Sequence, residues 1–138
     1  DARKKIIDAT MTDLRDDMPN PYKMIYLVGG SWRALARLDM ERRGYALKVL
    51  HEYRMTPKSV LQTVKWMRGK SVDDLRAITG NSEARMRLVP IAAQVLKSLI
   101  QRFKPETLAV SGDGIREGLL YEQMPFELKR RDPLIEAG

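Results

Sequence analysis

The chain has no cysteine and a single histidine, His51. Disulfide frameworks, thiolate zinc sites and cysteine nucleophiles are therefore excluded, and a Ser-His-Asp triad or a histidine-based metal cluster has too little to build on. Such usage fits a reducing cytoplasm, which is the expected location. Long hydrophobic runs are missing too. Stretches such as Met24 to Val28 fall far short of the roughly 20 apolar residues of a membrane helix, and no span is expected. Aromatic residues are scarce at 7%, and Trp32 and Trp66 read as core rather than as a platform for nucleobases. Zinc-finger spacing, an aromatic RNA-binding motif and a heptad basic region are all absent. The chain opens on Asp1 with no charged-then-apolar leader, so it reads as a segment excised or processed from a longer protein.

What is present is an ordinary globular composition, with 138 residues of which 43% are hydrophobic and 31% charged. That is one domain or a large piece of one, with enough chain to bury a core. Lys and Arg number 25 against 18 Asp and Glu, a formal charge of +7. The basic residues are interleaved with acids, as in Glu41-Arg42-Arg43 and Asp73-Asp74-Leu75-Arg76. A solvated helix surface is the first reading of that pattern, and a polyanion footprint the second. The densest run, Lys129-Arg130-Arg131, lies in a polar tail.

Ile6, Ile7, Met11 and Leu14 recur at helical spacing, which predicts an amphipathic helix over residues 2–15, ended by Pro19 and Pro21. Met24 to Val28 is too short for a helix and predicts a strand buried on both faces. Gly29-Gly30-Ser31 forms a turn, and strong helix formers follow from Trp32 to Arg43, stopped by Gly44. Residues 45–55 are ambiguous, with Leu47, Val49 and Tyr53 loosely alternating. Thr56-Pro57 starts a helix that carries Val60, Leu61, Val64 and Met67 on one side and stops at Gly69. Ser71 and Asp74 make a capping box for a short helix to about Ile78. A longer helix runs from about Glu83 to Phe103, with a kink or break expected near Val89 because Pro90 lies inside it. Thr107 to Ser111 repeats the short apolar strand, Gly112-Asp113-Gly114 its turn, and Ile115 to Met124 its helix. The fold class is α/β, mostly helical with two or three short strands. Two strands make no stable open sheet alone, so a third comes from a misread segment or the sheet continues outside this chain.

A glycine turn between a buried strand and a helix leaves backbone N–H groups unpaired and lets an anion approach closely, with the helix dipole adding positive charge. Phosphate is the natural occupant. Gly29, Gly30, Gly112 and Gly114 are the candidates, with Ser31 capping the helix or offering its hydroxyl. If the two strands are neighbours, both turns open on the carboxyl edge of one sheet and share a mouth. Equally, they are tight turns and nothing more. Arg116 stands near the positive end of a helix, which asks for a compensating anion or an internal ion pair, the latter favoured. Asp113 caps that helix or, less readily, ligates a metal. His51 reads as structural or exposed.

Four phrases occur in a familiar order: Val28-Gly-Gly-Ser-Trp-Arg-Ala-Leu-Ala-Arg-Leu38, Leu50-His-Glu-Tyr-Arg-Met55, Arg85 to Leu96 with Pro90-Ile-Ala-Ala, and Val110-Ser-Gly-Asp-Gly-Ile-Arg-Glu-Gly-Leu-Leu-Tyr121. Together they resemble the later part of the second actin-like domain of the Ppx/GppA family of exopolyphosphatases and guanosine pentaphosphate phosphatases. The resemblance runs from about Tyr22 to Tyr121, and Arg131-Asp132-Pro133-Leu134 looks like its continuation. It implies a fragment of a ribonuclease-H-like domain from the superfamily of actin, the Hsp70 chaperones and sugar kinases. Residues 1–124 would be a partial second domain and 125–138 a polar extension.

The implied parent reaction is hydrolysis of a terminal phosphoanhydride of polyphosphate or guanosine pentaphosphate with Mg²⁺, aided by the missing N-terminal portion of the same enzyme and with homodimer formation a further expectation. The family's catalytic carboxylate and first phosphate loops have no counterpart here, so no catalytic residue and no metal ligand is assigned. Gly29, Gly30, Ser31, Gly112, Asp113, Gly114 and Arg116 carry over as a ligand-facing wall, and the segment alone is expected to be inactive. One departure stands out: the family shows Arg-Ala-Asp, then glycines, where this chain has Arg85-Met86-Arg87 and Ile91-Ala92. The alternative from another class is a non-catalytic basic module that binds polyphosphate, nucleotide or RNA.

Overall fold

A computed structural model of the chain describes residues 2–16 and 23–130. Seven helices and three strands follow in the order α1 (Ala2–Asp16), β1 (Met24–Val28), α2 (Gly30–Arg43), β2 (Tyr53–Met55), α3 (Pro57–Met67), α4 (Val72–Thr79), α5 (Glu83–Phe103), β3 (Thr107–Ser111), α6 (Ile115–Gln123) and α7 (Phe126–Lys129) among the described residues. Pro19 and Pro21, expected to end the first helix, lie outside that range, as does the continuation at Arg131-Asp132-Pro133-Leu134.

The two apolar strands are neighbours. β1 and β3 pair in parallel, with Met24 opposite Thr107 and Val28 opposite Ser111, so both strands end at the same level. The third strand comes from the ambiguous segment: β2 pairs antiparallel with the other side of β3, giving the order β1-β3-β2. Three residues are too few to show a period, yet the alternation is complete, with Tyr53 and Met55 buried and Arg54 exposed. One face of the sheet, carrying Leu27, Leu108, Val110, Tyr53 and Met55, is buried with α2 residues Leu35 and Leu38 in the main core. The opposite face is open at β1. Tyr26 is 55% and Val28 52% exposed, which corrects the expectation of a strand covered on both sides.

Helix ends follow the capping chemistry. Gly44 takes the left-handed conformation at φ 62° that ends α2, with Tyr45 N–H donating back to Met40 at 2.8 Å. Thr56 caps α3 by accepting from the Ser59 amide at 3.1 Å, and Ser71 and Asp74 complete both halves of the box on α4. Leu61 is exposed, so the buried stripe of α3 is narrower than its composition implies. α5 runs unbroken through Pro90. The proline withholds its hydrogen bond from the Met86 carbonyl, but Met86, Val89, Ala93 and Leu96 are all buried around it, and that packing holds both halves in one helix. α7 adds a short turn of helix inside the expected polar tail, with Phe126 exposed.

A buried charge ties α2 to β2 and α3. Asp39 is fully buried and accepts from Ser59 and Thr63 at 2.6 Å each, from Tyr53 at 2.7 Å and from Arg42 at 3.0 Å. No helix among the described residues is long and apolar enough to cross a membrane.

Candidate functional site

Parallel pairing places the two glycine turns together at the carboxyl edge of the sheet. Gly29 adopts φ 136° and ψ 161°, a conformation open almost only to glycine, and caps α2 without a side chain. α2 therefore begins at Gly30, earlier than its composition predicts, and the amides of its first turn have no intrahelical acceptor. Ser31 makes no cap. It lines a separate, largely apolar groove with Trp32, Leu88 and Ile91 on α2 and α5.

The second turn is built differently. Gly112 N–H donates to His51 Nδ1 at 3.2 Å, Asp113 N–H to Ser111 Oγ at 3.1 Å, and Gly114 N–H to Glu117 Oε2 at 2.7 Å. Its amides are thus engaged within the chain. Glu117 is held below the usual carboxylate range by backbone N–H groups, first its own and then that of Gly114. Asp113 does not cap α6, which starts from Gly114; its carboxylate lies 3.7 Å from His51 Nδ1. His51 is half-exposed yet holds a defined place against Gly112, where an added Cβ would come within 3.2 Å of its own Cβ. Arg116 is exposed, and its charge helps to hold Glu117 low, but the two make no direct ion pair among the described residues.

Between the two turns lies a cleft of about 330 Å³ lined by Gly30, Gly112, Leu50, Arg33, Arg37 and Arg85, with Ala34 and Asn81. No carboxylate lines it. Arg33 and Arg37 stand four residues apart on one face of α2. Arg33 Nη1 donates to the Gly112 carbonyl at 2.7 Å, which joins α2 to the second turn, and Arg37 Nη1 donates to the Thr79 carbonyl at the end of α4 at 2.6 Å. Arg85 comes from the first turn of α5, its guanidinium 3.5 Å from where a side chain on Gly30 would begin. It reaches Asn81 Oδ1 only at 3.4 Å.

None of the three arginines stands among the site residues expected from the sequence. Arg85 carried the signal applied to Arg116, a cation at the positive end of a helix, and Arg33 and Arg37 carried the helical spacing. Arg87, which replaces the family's Asp, pairs with Glu83 at 2.6 Å on the exposed side of α5 and does not line the cleft. In the basic tail, Lys129 Nζ donates to the Glu122 carbonyl at 2.8 Å and Arg130 stacks over Phe126, so Lys129 is turned onto α6 and Arg130 onto α7. Planar guanidinium forks beside open helix-start amides suit phosphate oxygens.

The residues present do not fit a metal cage. Among the described residues no group of three or more His, Asp or Glu is placed to hold an ion, and of the two carboxylates at the glycine edge Glu117 is occupied by an amide.

Solved structures share this architecture. The type II variant of the Aquifex aeolicus Ppx/GppA phosphatase superposes with a TM-score of 0.68 at 17% identity over 88% of this chain. A further structure of the Aquifex aeolicus family member gives 0.70 at 15% identity over 95%. An exopolyphosphatase from Cytophaga hutchinsonii gives 0.69 at 15% over 86%. The chain spans 40%, 41% and 40% of those proteins, respectively. The search of curated proteins found no match. The fold is that of the actin-like Ppx/GppA structures, mostly helical around a small three-stranded sheet. The sequence profile of the Ppx/GppA phosphatase family matches residues 3–127, nearly the whole chain, and the chain belongs to that family.

Proposed function

We propose that this chain is part of a phosphatase that hydrolyses terminal phosphoanhydrides of inorganic polyphosphate or guanosine pentaphosphate in the cytoplasm, and that it supplies the phosphate-holding wall of the second actin-like domain. The observation that carries the reading is the carboxylate-free cleft where Arg33, Arg37 and Arg85 converge beside the Gly29-Gly30 turn. Gly30 and the open amides of α2 would meet phosphate oxygens directly, with Gly29 making the turn before them, while Gly112 shapes the opposite rim and Gly114 lies behind it in the same turn. Ser31, Asp113 and Arg116 stand at the margins of this wall.

The open face and free edge of β1 favour completion of the sheet by further sequence, so that residues 1–124 form a partial domain and 125–138 an extension. The described residues hold a phosphate chain in place and neutralise its charge. The Mg²⁺ expected of the parent enzyme and its catalytic base belong, in this reading, to chain outside the segment, and the parent enzyme forms a homodimer.

Titration calorimetry with inorganic tripolyphosphate tests the wall. Binding is expected, and Arg85→Ala is expected to weaken it about tenfold, the loss of one charge-assisted fork. Phosphate release by the isolated chain at the rate of a full-length family phosphatase would overturn its assignment as a non-catalytic part. Binding that ignores Arg85 but disappears when Lys129, Arg130 and Arg131 are neutralised would replace the reading with that of a basic polyanion module.

A further inference from the structure

The sole histidine sits where a proton would change the site. His51 Nδ1 accepts the Gly112 N–H at 3.2 Å, which requires a bare Nδ1 and hence a neutral ring. The same Nδ1 lies 3.7 Å from Asp113 Oδ2, a partner it can engage only as a donor. One atom therefore faces a donor and an acceptor, and its protonation selects between them. The backbone supports the placement: Glu52 takes a left-handed φ of 58°, and its N–H donates to the Val110 carbonyl at 3.0 Å, fastening the segment to the end of β3.

We propose that His51 is a positioning residue for the second glycine turn, and that its protonation opens that turn to anions. Hydronium in the acidified solvent gives a proton to Nδ1 and is left as water, the bond from Gly112 N–H is lost, and a charge-assisted bond from Nδ1–H to Asp113 replaces it. Two consequences follow at the mouth. The Gly112 amide becomes a free donor on the rim of the arginine cleft, and the Asp113 charge, which repels anions, is matched. Phosphate therefore binds more tightly in mild acid, and by linkage a bound phosphate favours the protonated ring.

The charged groups of the elements packed nearby do not supply the same effect. Glu117 is committed to Gly114 N–H and Arg33 to the Gly112 carbonyl, while Lys48 pairs with Glu41 at 2.7 Å and Arg54 with Glu52 at 3.3 Å. The proposal rests on the glycine edge being a phosphate site, and its test separates the two ideas.

In the ligand-free chain, amide NMR should show the Gly112 resonance moving together with the His51 ring resonances as the solution is acidified. A Gly112 amide that stays fixed while the ring resonances move overturns the latch. Tripolyphosphate affinity should rise about threefold to tenfold on acidification, beyond the change in His51→Asn, whose carboxamide oxygen accepts the Gly112 N–H at every pH. The variant also cancels the probe's own protonation. An equal gain in His51→Asn overturns the proposal. Absence of tripolyphosphate binding at any pH overturns the phosphate reading and the affinity change together, a failure the ligand-free titration distinguishes from failure of the latch.

Discussion

Replacing Asp39 by alanine is expected to lower the unfolding free energy by about 3–5 kcal/mol, read as a fall in the urea midpoint. The carboxylate is fully buried, and Ser59, Thr63, Tyr53 and Arg42 all donate to it, with Arg43 3.5 Å away. Alanine leaves those hydroxyls without their acceptor and strands Arg42, only 19% exposed, without its counter-charge. Asp39→Asn separates the charge from the shape, since the amide keeps the volume but presents N–H groups to groups that are themselves donors. It should recover only a minor part of the loss.

The same residue sets an acid limit. Burial alone raises the Asp39 pKa, but hydrogen bonds from Ser59, Thr63, Tyr53 and Arg42 outweigh it and hold the group below its ordinary value. A pKa lower in the folded state than in the unfolded state contributes stability above the unfolded value, near pH 3.9, and that contribution is lost as pH falls through the folded value. Denaturation midpoints below about pH 4 should therefore drop more steeply in the parent chain than in Asp39→Asn. Tyr53, buried and beside the same carboxylate, is pushed up to about 12, which keeps its hydroxyl protonated as a donor.

The second large loss is expected at Leu96, where truncation to alanine should cost about 2–5 kcal/mol and shift the thermal midpoint accordingly. Leu96 is fully buried on α5 in the cluster that contains Leu35 and Leu38 of α2 and Leu108 and Val110 of β3. The sheet and both long helices meet there, so collapse around the cavity would require several elements to shift at once. Leu61→Ala on α3 is the comparison. That side chain is exposed, and its removal should change stability by no more than about 0.5 kcal/mol.

What could be read from the sequence is what neighbouring residues determine among themselves. Met24 to Val28 and Thr107 to Ser111 announce strands because each holds a short apolar run before a glycine turn, and the capping box at Ser71 is a local exchange in which Ser71 and Asp74 each accept the other's backbone N–H. β2 escaped because three residues carry no period, and its partner on β3 lies more than fifty positions away. Asp39 escaped because an acid beside Glu41-Arg42-Arg43 looks like solvated helix surface until α3 is folded over it. The cleft escaped for a similar reason. Arg33 and Arg85 converge only after β3 and α5 are in place, and Pro90, expected to kink or break α5, does not break it, because Met86 and Val89 are anchored in the core.

The unpaired margin of β1 has a physical cost beyond its role in the fold. Among the described residues, Met24-Ile-Tyr-Leu-Val28 has a strand on one side only, so its other side offers main-chain donors and acceptors flanked by apolar side chains, with neither proline nor charge inside it to discourage pairing. At high protein concentration such a margin is expected to recruit the equivalent margin of another molecule, which sedimentation at rising concentration checks. A lysine at Tyr26, which projects from the open side, places like charges against each other in any such pair and should keep the chain dispersed.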